Sequence, residues 1–430
     1  MCSHDSMHLW FVLNTMEIKC QKIDSVERVM VFSILYMKEN QSLFFISGKR
    51  TPFGSFGGSL RDINPTDLCV GAAQVAIEKS GVTPSEIDHV IFGNVLHSAV
   101  DSIYTPRHVG LKLKIPVHVP ALGINRLCGS GFQVVIEAYH QMLAGDSAIA
   151  LIGGVENMSM TPYVLRQMRW GHKMGTAEVQ DMMTESLTDS LYQTPMAITA
   201  ENLAVQYKIS RAECDQFAFE SQSKTKNAQE KGYFEKDIAP LTIMNHKKQS
   251  LQISKDEHPK PDTSLETLAK LKAIFKKDGV VTAGNASGIV DGAAAMVVAT
   301  EEKSKNLKPI GRLAACHVVG CDPTIMGIGP VEAIRGVLKK SSMTLSQIDL
   351  IEVNEAFAAQ TLAVQKALEI PSEILNVNGG AIAIGHPLAA SGTRITIQLL
   401  NELKRRNKRW GIVSACIGGG QGIALLIEAF

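Results

Sequence analysis

The sequence contains no CxxC pair. Its eight cysteines (Cys2, Cys20, Cys69, Cys128, Cys214, Cys316, Cys321 and Cys416) are scattered and have no clustered histidine partners. That spacing argues against a zinc site and against a disulfide framework, and a reducing compartment suits it best. Neither sign of charge dominates: 43 Lys plus Arg stand against 42 Asp plus Glu, a formal charge of +1. No general attraction to nucleic acid or to an anionic membrane follows, so an anionic ligand has to be met locally. Long apolar runs are also missing. The stretch near Val29 to Met37 is short and broken by Ser33, well below the roughly 18 uninterrupted apolar residues of a membrane span.

Residues 1–36 carry Asp5, Glu17, Asp24 and Glu27 and show neither an Arg-rich amphipathic pattern nor a small-residue cleavage site. They read as a poorly ordered extension, with Met37 near the natural start. Without a recognisable transit peptide, a cytoplasmic location of bacterial type is expected rather than the mitochondrial matrix.

What is present is length and repetition. At 430 residues and 45% apolar composition, the chain has the material for two or three domains with a large core. AIEKSGVTPSEID at Ala76 to Asp88 pairs with VLKKSSMTLSQID at Val337 to Asp349, matching at Lys79/Lys340, Thr83/Thr344 and Asp88/Asp349, a constant separation of 261 (340 minus 79). The same separation sets Ser130, Gly131 and Ile136 on Ser391, Gly392 and Ile397. Each copy reads as helix, turn, strand (Val90 to Val95; Leu350 to Val353), glycine-rich turn, helix and second strand (Ala148 to Gly153; Gly411 to Ala415). This alternation predicts an α/β fold of two related halves built from βαβ units with largely parallel sheet. Charged helical stretches such as Ile209 to Lys231 interrupt the pattern and read as an insertion. The expected organisation is a first half at 37–155, completed by about 288–308, an inserted domain at 156–287 and a second half at 309–430.

Four motifs carry chemistry. Cys128, in NRLCGSGF, precedes a helical run, where the dipole and free amides favour an anion by about 0.3–1 kcal/mol. That is less than one pKa unit, so a further partner is needed to make a thiolate. A cysteine between Leu127 and Gly129 reads equally as core filling. His386 sits in a glycine-rich turn of GGAIAIGHP, as a base or as a structural turn residue. In CIGGGQG, Cys416 ends an apolar strand before Gly418 to Gly420. That run either exposes amides for an oxyanion or simply makes a tight turn. Asn354, in NEAFA, holds a water or a carbonyl oxygen, caps the following helix, or does both.

These strings, with TAGNASGIVDGAA, resemble the thiolase family from about Leu43 to Phe430. The resemblance implies the thiolase fold, with two duplicated α/β halves, layered helices, mixed sheets and an inserted loop domain that binds coenzyme A. It implies that Cys128 accepts the acyl group, His386 activates it, Cys416 is the general acid/base, and Asn354 positions an oxyanion-hole water. The amides of Cys128 and Gly418 would receive the second oxyanion. Coenzyme contacts carry over to Lys260, Thr263, Ser287, Phe275 and Met326. Lys260 stands where the family commonly has Arg, and Lys lacks the bidentate fork. Ala389 and Ala390 stand where one or both positions are usually Gly, which adds methyl groups behind His386. Tyr163 stands where biosynthetic acetoacetyl-CoA thiolases often carry His. Strings such as PMAITAEN and CDPTIMGIGP look most like the degradative 3-ketoacyl-CoA thiolases.

The implied partners are acyl-CoA and CoA, with coenzyme A as a co-substrate, no tightly bound cofactor and no metal. A homodimer or a homotetramer is implied as well. Three rival readings exist: a decarboxylating condensing enzyme of the same superfamily, a CoA thioester hydrolase, and a non-catalytic scaffold. A decarboxylating enzyme needs no base for an α-proton, so Cys416 speaks against the first. The complete set of catalytic positions speaks against the last.

Overall fold

A computed structural model describes residues 42–244 and 249–430; the expected extension at 1–36 lies outside the described residues. Strand β1 (Leu43–Arg50) leads to helix α1 (Pro65–Ser80), β2 (His89–Asn94), α2 (Thr105–Lys112), β3 (Ala121–Ile124), α3 (Ser130–Ala144) and β4 (Ile149–Asn157). An intervening stretch holds α4 (Met182–Ser186), α5 (Met196–Gln206) and α6 (Arg211–Glu230). The chain then rejoins the sheet as β5 (Val290–Thr300) and β6 (Gly311–Gly320). It continues through α7 (Gly329–Ser341), β7 (Leu350–Val353), α8 (Ala358–Leu368), α9 (Leu388–Arg406), β8 (Trp410–Ile417) and β9 (Gln421–Ala429).

The separation of 261 governs the architecture down to single hydrogen bonds. The Asp88 carboxylate accepts the Ala148 N–H at 2.7 Å and the Ile149 N–H at 3.2 Å; Asp349 accepts those of Arg409 at 3.1 Å and Trp410 at 2.9 Å. A capping box formed by Thr83 and Glu86 recurs as Thr344 and Gln347, in each case opening a single helical turn before the strand. Satisfied turns at matched places make each half enter its first strand in the same way.

The strands run in the order β7-β8-β9-β6-β1-β5-β4-β2-β3, with Gly54–Ser55 also pairing to β5. Only Phe44↔Arg312 and Phe45↔Gly311 pair β1 with β6, so the two sets of strands are hydrogen-bonded along a narrow seam. Helix α1 covers one face of the first half through Leu68, Cys69, Ala72 and Ala73. Helix α7 covers the outer face of the second half through Val331, Ile334 and Val337. Between the two sheets lie α3 and α9, whose Val134, Val135, Ile395 and Leu399 share one core with strands of both halves. Five layers result. Sandwiched on all sides, α9 is buried at every residue from Leu388 to Leu400, which an amphipathic surface helix would not be.

The expected largely parallel sheet is not what forms. Parallel pairing is confined to β2 with β3 and β4, and to β7 with β8. The central pairs β1–β5, β4–β5, β6–β9 and β8–β9 are antiparallel. The three-glycine turn from β8 to β9 is too short for a crossover, so the chain must return as a hairpin.

The intervening stretch is fastened to the core by residues 256–258. Asp256 forms a buried two-point ion pair with Arg50 at 2.6 and 2.8 Å and accepts the Phe53 N–H. Nδ1 of His258 meets the Ala383 carbonyl at 2.8 Å, and the ring fills the space that a side chain at Gly288 would need. These contacts place the stretch beside the turn that carries His386. Among the described residues, no helix is long and apolar enough to cross a membrane.

Candidate active site

Cys128 lies between β3 and α3, and the residue before it is bent to present it. Leu127 has a φ of +46°, a left-handed conformation that costs a non-glycine residue roughly 1–2 kcal/mol. The bend is held because Asn125 Oδ1 accepts the Leu127 N–H at 3.0 Å and Ser130 Oγ donates to the Leu127 carbonyl at 2.7 Å. Gly129 permits the close approach to β8, since a Cβ there would lie 2.5 Å from Cδ1 of Ile417. So presented, the thiol has the N–H groups of Gly418 and of Cys128 itself beside it, and both favour its charged form. The two amides singled out for an oxyanion therefore neighbour one thiol.

Those donors do not make a resting thiolate. Burial pushes the Cys128 thiol up to about 11, the two N–H groups oppose the rise, and the buried Glu156 carboxyl adds to it. The expected help from the helix N-terminus is outweighed, because desolvation of the charged form is the larger effect.

His386 follows Gly385, whose φ of +100° and tight contact with Val290 leave room for no other residue. Its backbone N–H donates to the Gly288 carbonyl at 2.9 Å. Both ring nitrogens are engaged: Nδ1 meets Ser391 Oγ at 2.6 Å and Nε2 meets Asn354 Nδ2 at 3.3 Å. With the Asn354 amide donating, Nε2 holds the lone pair and Nδ1 carries the proton. Burial, reinforced by the Arg394 guanidinium, lowers the imidazole to about 3, so it is neutral. The resting pair is a thiol and a neutral imidazole.

Asn354 directly follows β7 and is buried, its backbone N–H bonded to the Ser414 carbonyl at 2.9 Å. It does not cap the next helix. Helix α8 begins at Ala358 with Phe357 in the capping position, which frees the Asn354 side chain for His386. Asn354 Oδ1 has no partner among the described residues although it is buried. A buried carbonyl oxygen of this kind is suited to a water or a substrate donor.

Cys416 stands near the end of β8, opposite Gly422 of β9. Its thiol is pushed well above the usual range by burial first, then by the neighbouring sulfurs of Cys128 and Cys321. Cys416 thus stays protonated, with two other thiols as neighbours. Cys321 was not singled out from the sequence; its backbone N–H bonds to the Gly420 carbonyl at 2.8 Å, beside the glycine turn.

The turn behind His386 accommodates its two alanines. Ala389 is fully buried, and its methyl faces Gly93, which presents no side chain; a Cβ on Gly93 would be 3.4 Å away. The Ala389 carbonyl sits where a Cβ on Gly131 or Gly154 would come within 2.4 and 2.0 Å. Gly93 thus gives room to the Ala389 methyl, while Gly131 and Gly154 let the backbone behind His386 approach closely.

The residues expected to hold the coenzyme are more dispersed. Lys260 and Phe275 are exposed, and Thr263 folds back to bond the Lys260 carbonyl at 2.8 Å. The Ser287 N–H donates to the Ala356 carbonyl at 3.0 Å. Met326 is buried in contact with Cys416 and Ala356, close to the reacting groups. Ser391 and Leu127 were missed as site residues. Ser391 left a signal, since it stands five residues after His386 and repeats Ser130; a left-handed leucine left none.

Comparison with known proteins bears on this geometry. A family model described as "Thiolase, N-terminal domain" matches residues 43–302, and one described as "Thiolase, C-terminal domain" matches residues 307–429. The mitochondrial 3-ketoacyl-CoA thiolase of Bos taurus is 51% identical over 392 residues, covering 90% of this chain and 98% of the relative. A probable acetyl-CoA acyltransferase of Staphylococcus aureus (strain COL) is 46% identical over 384 residues, covering 89% and 97%. The crystal structure of human mitochondrial 3-ketoacyl-CoA thiolase in complex with CoA superposes with a TM-score of 0.88 at 50% identity, covering 91% of this chain and 98% of that one. The Bacillus anthracis acetyl-CoA acetyltransferase gives 0.89 at 44% identity, covering 91% and 99%.

Proposed function

The chain belongs to the thiolase family, and on that premise we propose that it cleaves 3-ketoacyl-CoA reversibly, through an acyl-enzyme on Cys128. It is an acyltransferase, as its relatives are. The observation that carries the assignment of residues is the buried Asn354–His386–Ser391 arrangement, with the Gly418 and Cys128 amides beside the Cys128 thiol. In that position they can receive the oxyanion as sulfur attacks a carbonyl carbon, an interaction worth about a hundred- to a thousandfold in rate per donor.

In cleavage, the Cys128 thiol gives its proton to Nε2 of His386 while its sulfur attacks the 3-keto carbon. The C2–C3 bond breaks, and the enolate of acetyl-CoA takes the Cys416 proton at C2. The Asn354–His386 pair faces the enolate oxygen, with Asn354 Oδ1 orienting the water that donates to it. The CoA thiol then gives its proton to the Cys416 thiolate and displaces Cys128, whose sulfur recovers its own proton from His386. Each residue ends in its starting protonation state, since the Cys416 proton that leaves on C2 of acetyl-CoA is replaced by that of the CoA thiol. Run in reverse, Cys416 removes the α-proton of acetyl-CoA and the enolate attacks the acyl-enzyme.

Coenzyme A is the co-substrate, held by Lys260, Thr263, Ser287 and Phe275, with Met326 beside the reacting end. Exposed Trp170, Met174 and Leu191 on the inserted stretch suit contact between copies in a homodimer or homotetramer. The six free cysteines among the described residues suit a reducing compartment such as the cytoplasm. The test is CoA-dependent conversion of acetoacetyl-CoA to acetyl-CoA by the full chain. Release of free acid in the absence of CoA would replace this reading with a hydrolase.

A further inference from the structure

Two separate groups of apolar side chains flank the cysteines, one at Cys416 and the other at Cys128. Met326 and Ala356 pack around Cys416, joined by Met196 and Phe357. Leu96, Met158 and Leu388 form a second, buried group, against which Cys128, Val95, Ile289 and Met183 pack. The chemistry assigns the two sides. Once Cys128 is bonded to the former 3-keto carbon, C2 must lie toward the thiol that protonates it, Cys416. The rest of the acyl chain leaves the same carbon in the other direction, along the group formed by Leu96, Met158 and Leu388.

The walls of that group differ in how firmly they are held. Glu156 accepts the N–H groups of Val95 at 3.2 Å, Leu96 at 2.8 Å and Ala389 at 3.2 Å. A single buried carboxyl group thus fixes Val95, Leu96 and the start of α9, where Leu388 lies. Met158 directly follows β4, whose last residue, Asn157, donates to the carbonyls of Leu60 and Ile63 at 3.0 and 2.8 Å. Met183 is different. It belongs to the five-residue α4, capped by Asp181 at 3.0 Å and tethered by a two-pair ladder of Tyr163 and Val164 with Asp181 and Gln180. It is also half-buried, whereas Leu96, Met158 and Leu388 are at most 4% exposed. An unbranched thioether on a lightly tethered helix is the wall residue that can swing aside.

We propose that Met183 determines the acyl-chain length the enzyme accepts: the chain carried on Cys128 lies along Leu96, Met158 and Leu388 and ends against the Met183 side chain. This rests on the reading of Cys128 as the acylated residue and of Cys416 as the acid. Short linear 3-ketoacyl-CoAs fit beneath Met183, and longer ones displace it. Shortening this side chain opens the path, and a rigid aromatic ring closes it.

The experiment compares thiolysis of acetoacetyl-CoA, 3-ketooctanoyl-CoA and 3-ketododecanoyl-CoA by the full chain and by Met183→Ala and Met183→Phe. The expected result is a rise of about tenfold or more in the kcat/KM ratio of the dodecanoyl to the acetoacetyl substrate in Met183→Ala, the scale of a few methylenes gaining or losing a pocket. Met183→Phe should lower the octanoyl to acetoacetyl ratio by a similar factor. Ratios within twofold of the unmodified enzyme in both variants, with acetoacetyl-CoA still cleaved, would overturn the assignment of Met183 and leave the thiolase reading standing. Failure of the unmodified chain to cleave any of the three substrates would overturn that reading and this inference with it.

Discussion

Gly131 and Gly392, related by the repeat, touch where α3 crosses α9. A Cβ on Gly131 would lie 2.9 Å from the Gly392 nitrogen, and one on Gly392 would lie 2.5 Å from the Gly131 carbonyl carbon. The Thr393 hydroxyl reinforces the crossing by donating to the Gly131 carbonyl at 3.0 Å. The two central helices are thereby drawn together close to their N-termini, where one follows Cys128 and the other follows His386. Backbone contact without side chains brings together the two segments that carry Cys128 and His386.

Adding a methyl group at that crossing should separate the helices. Gly131→Ala places its Cβ 2.4 Å from the Ala389 carbonyl oxygen, a contact backbone atoms cannot relieve by rotating. A loss of about 1–3 kcal/mol or more in unfolding free energy is expected, measured by denaturant titration. Stability within about 0.5 kcal/mol of the unmodified chain would show that the helices part easily.

The two catalytic cysteines should separate by function. Cys128→Ala should yield no acyl-enzyme by mass spectrometry. Cys416→Ala should still accept an acetyl group from acetyl-CoA on Cys128, because that exchange removes no proton from carbon, while condensation and α-proton exchange collapse. Acetylation found on Cys416 in the unmodified enzyme would reverse the roles.

The thiol's raised pKa predicts how Cys128 reacts with an alkylating agent. A thiol pushed up to about 11, against an ordinary value of 9.0, is protonated throughout the neutral range. Its labelling by iodoacetamide, followed on the Cys128 peptide, should keep rising as pH increases past 9. Because His386 is lowered to about 3, no inflection from it should appear near 6.5. A plateau reached below pH 8 would mean a preformed thiolate, contrary to this description.

Asn354→Ala removes the donor to Nε2 of His386 and the unpartnered Oδ1. A fall of about a hundred- to a thousandfold in condensation rate is expected, with acetylation of Cys128 less affected because its oxyanion has separate donors. Equal losses in both steps would place Asn354 with Cys128 rather than with the enolate.

Lys260→Ala should raise the KM for CoA by about two- to fivefold at low salt, the scale of an exposed ionic contact, and by less at high salt. Turnover should stay similar. An unchanged KM would remove Lys260 from the coenzyme site.

Much of this was legible before any coordinates. The separation of 261 marked two copies in the sequence, and the matched hydrogen bonds of Asp88 and Asp349 show those copies folding alike locally. The strand at Leu350 to Val353 appeared where expected, and the helix read at Ile209 to Lys231 formed at Arg211–Glu230. Strand direction was not legible, because an alternation of strand and helix does not reveal that β5 and β9 return antiparallel. Nor was the partner of Asn354, because a polar residue ahead of a helix has the same local pattern whether it caps that helix or reaches His386.

The sequence alone determined the duplication, the reactive side chains and the family motifs that contain them, because each depends on residue type and local spacing. Only the tertiary structure decided which of those side chains meet and in what state. Cys128 precedes one central helix and His386 the other, and they share a site because Gly131 and Gly392 let those helices touch. The thiol stays protonated and the imidazole neutral because the same packing removes both from water, and desolvation depends on everything that surrounds a group rather than on its neighbours in the chain.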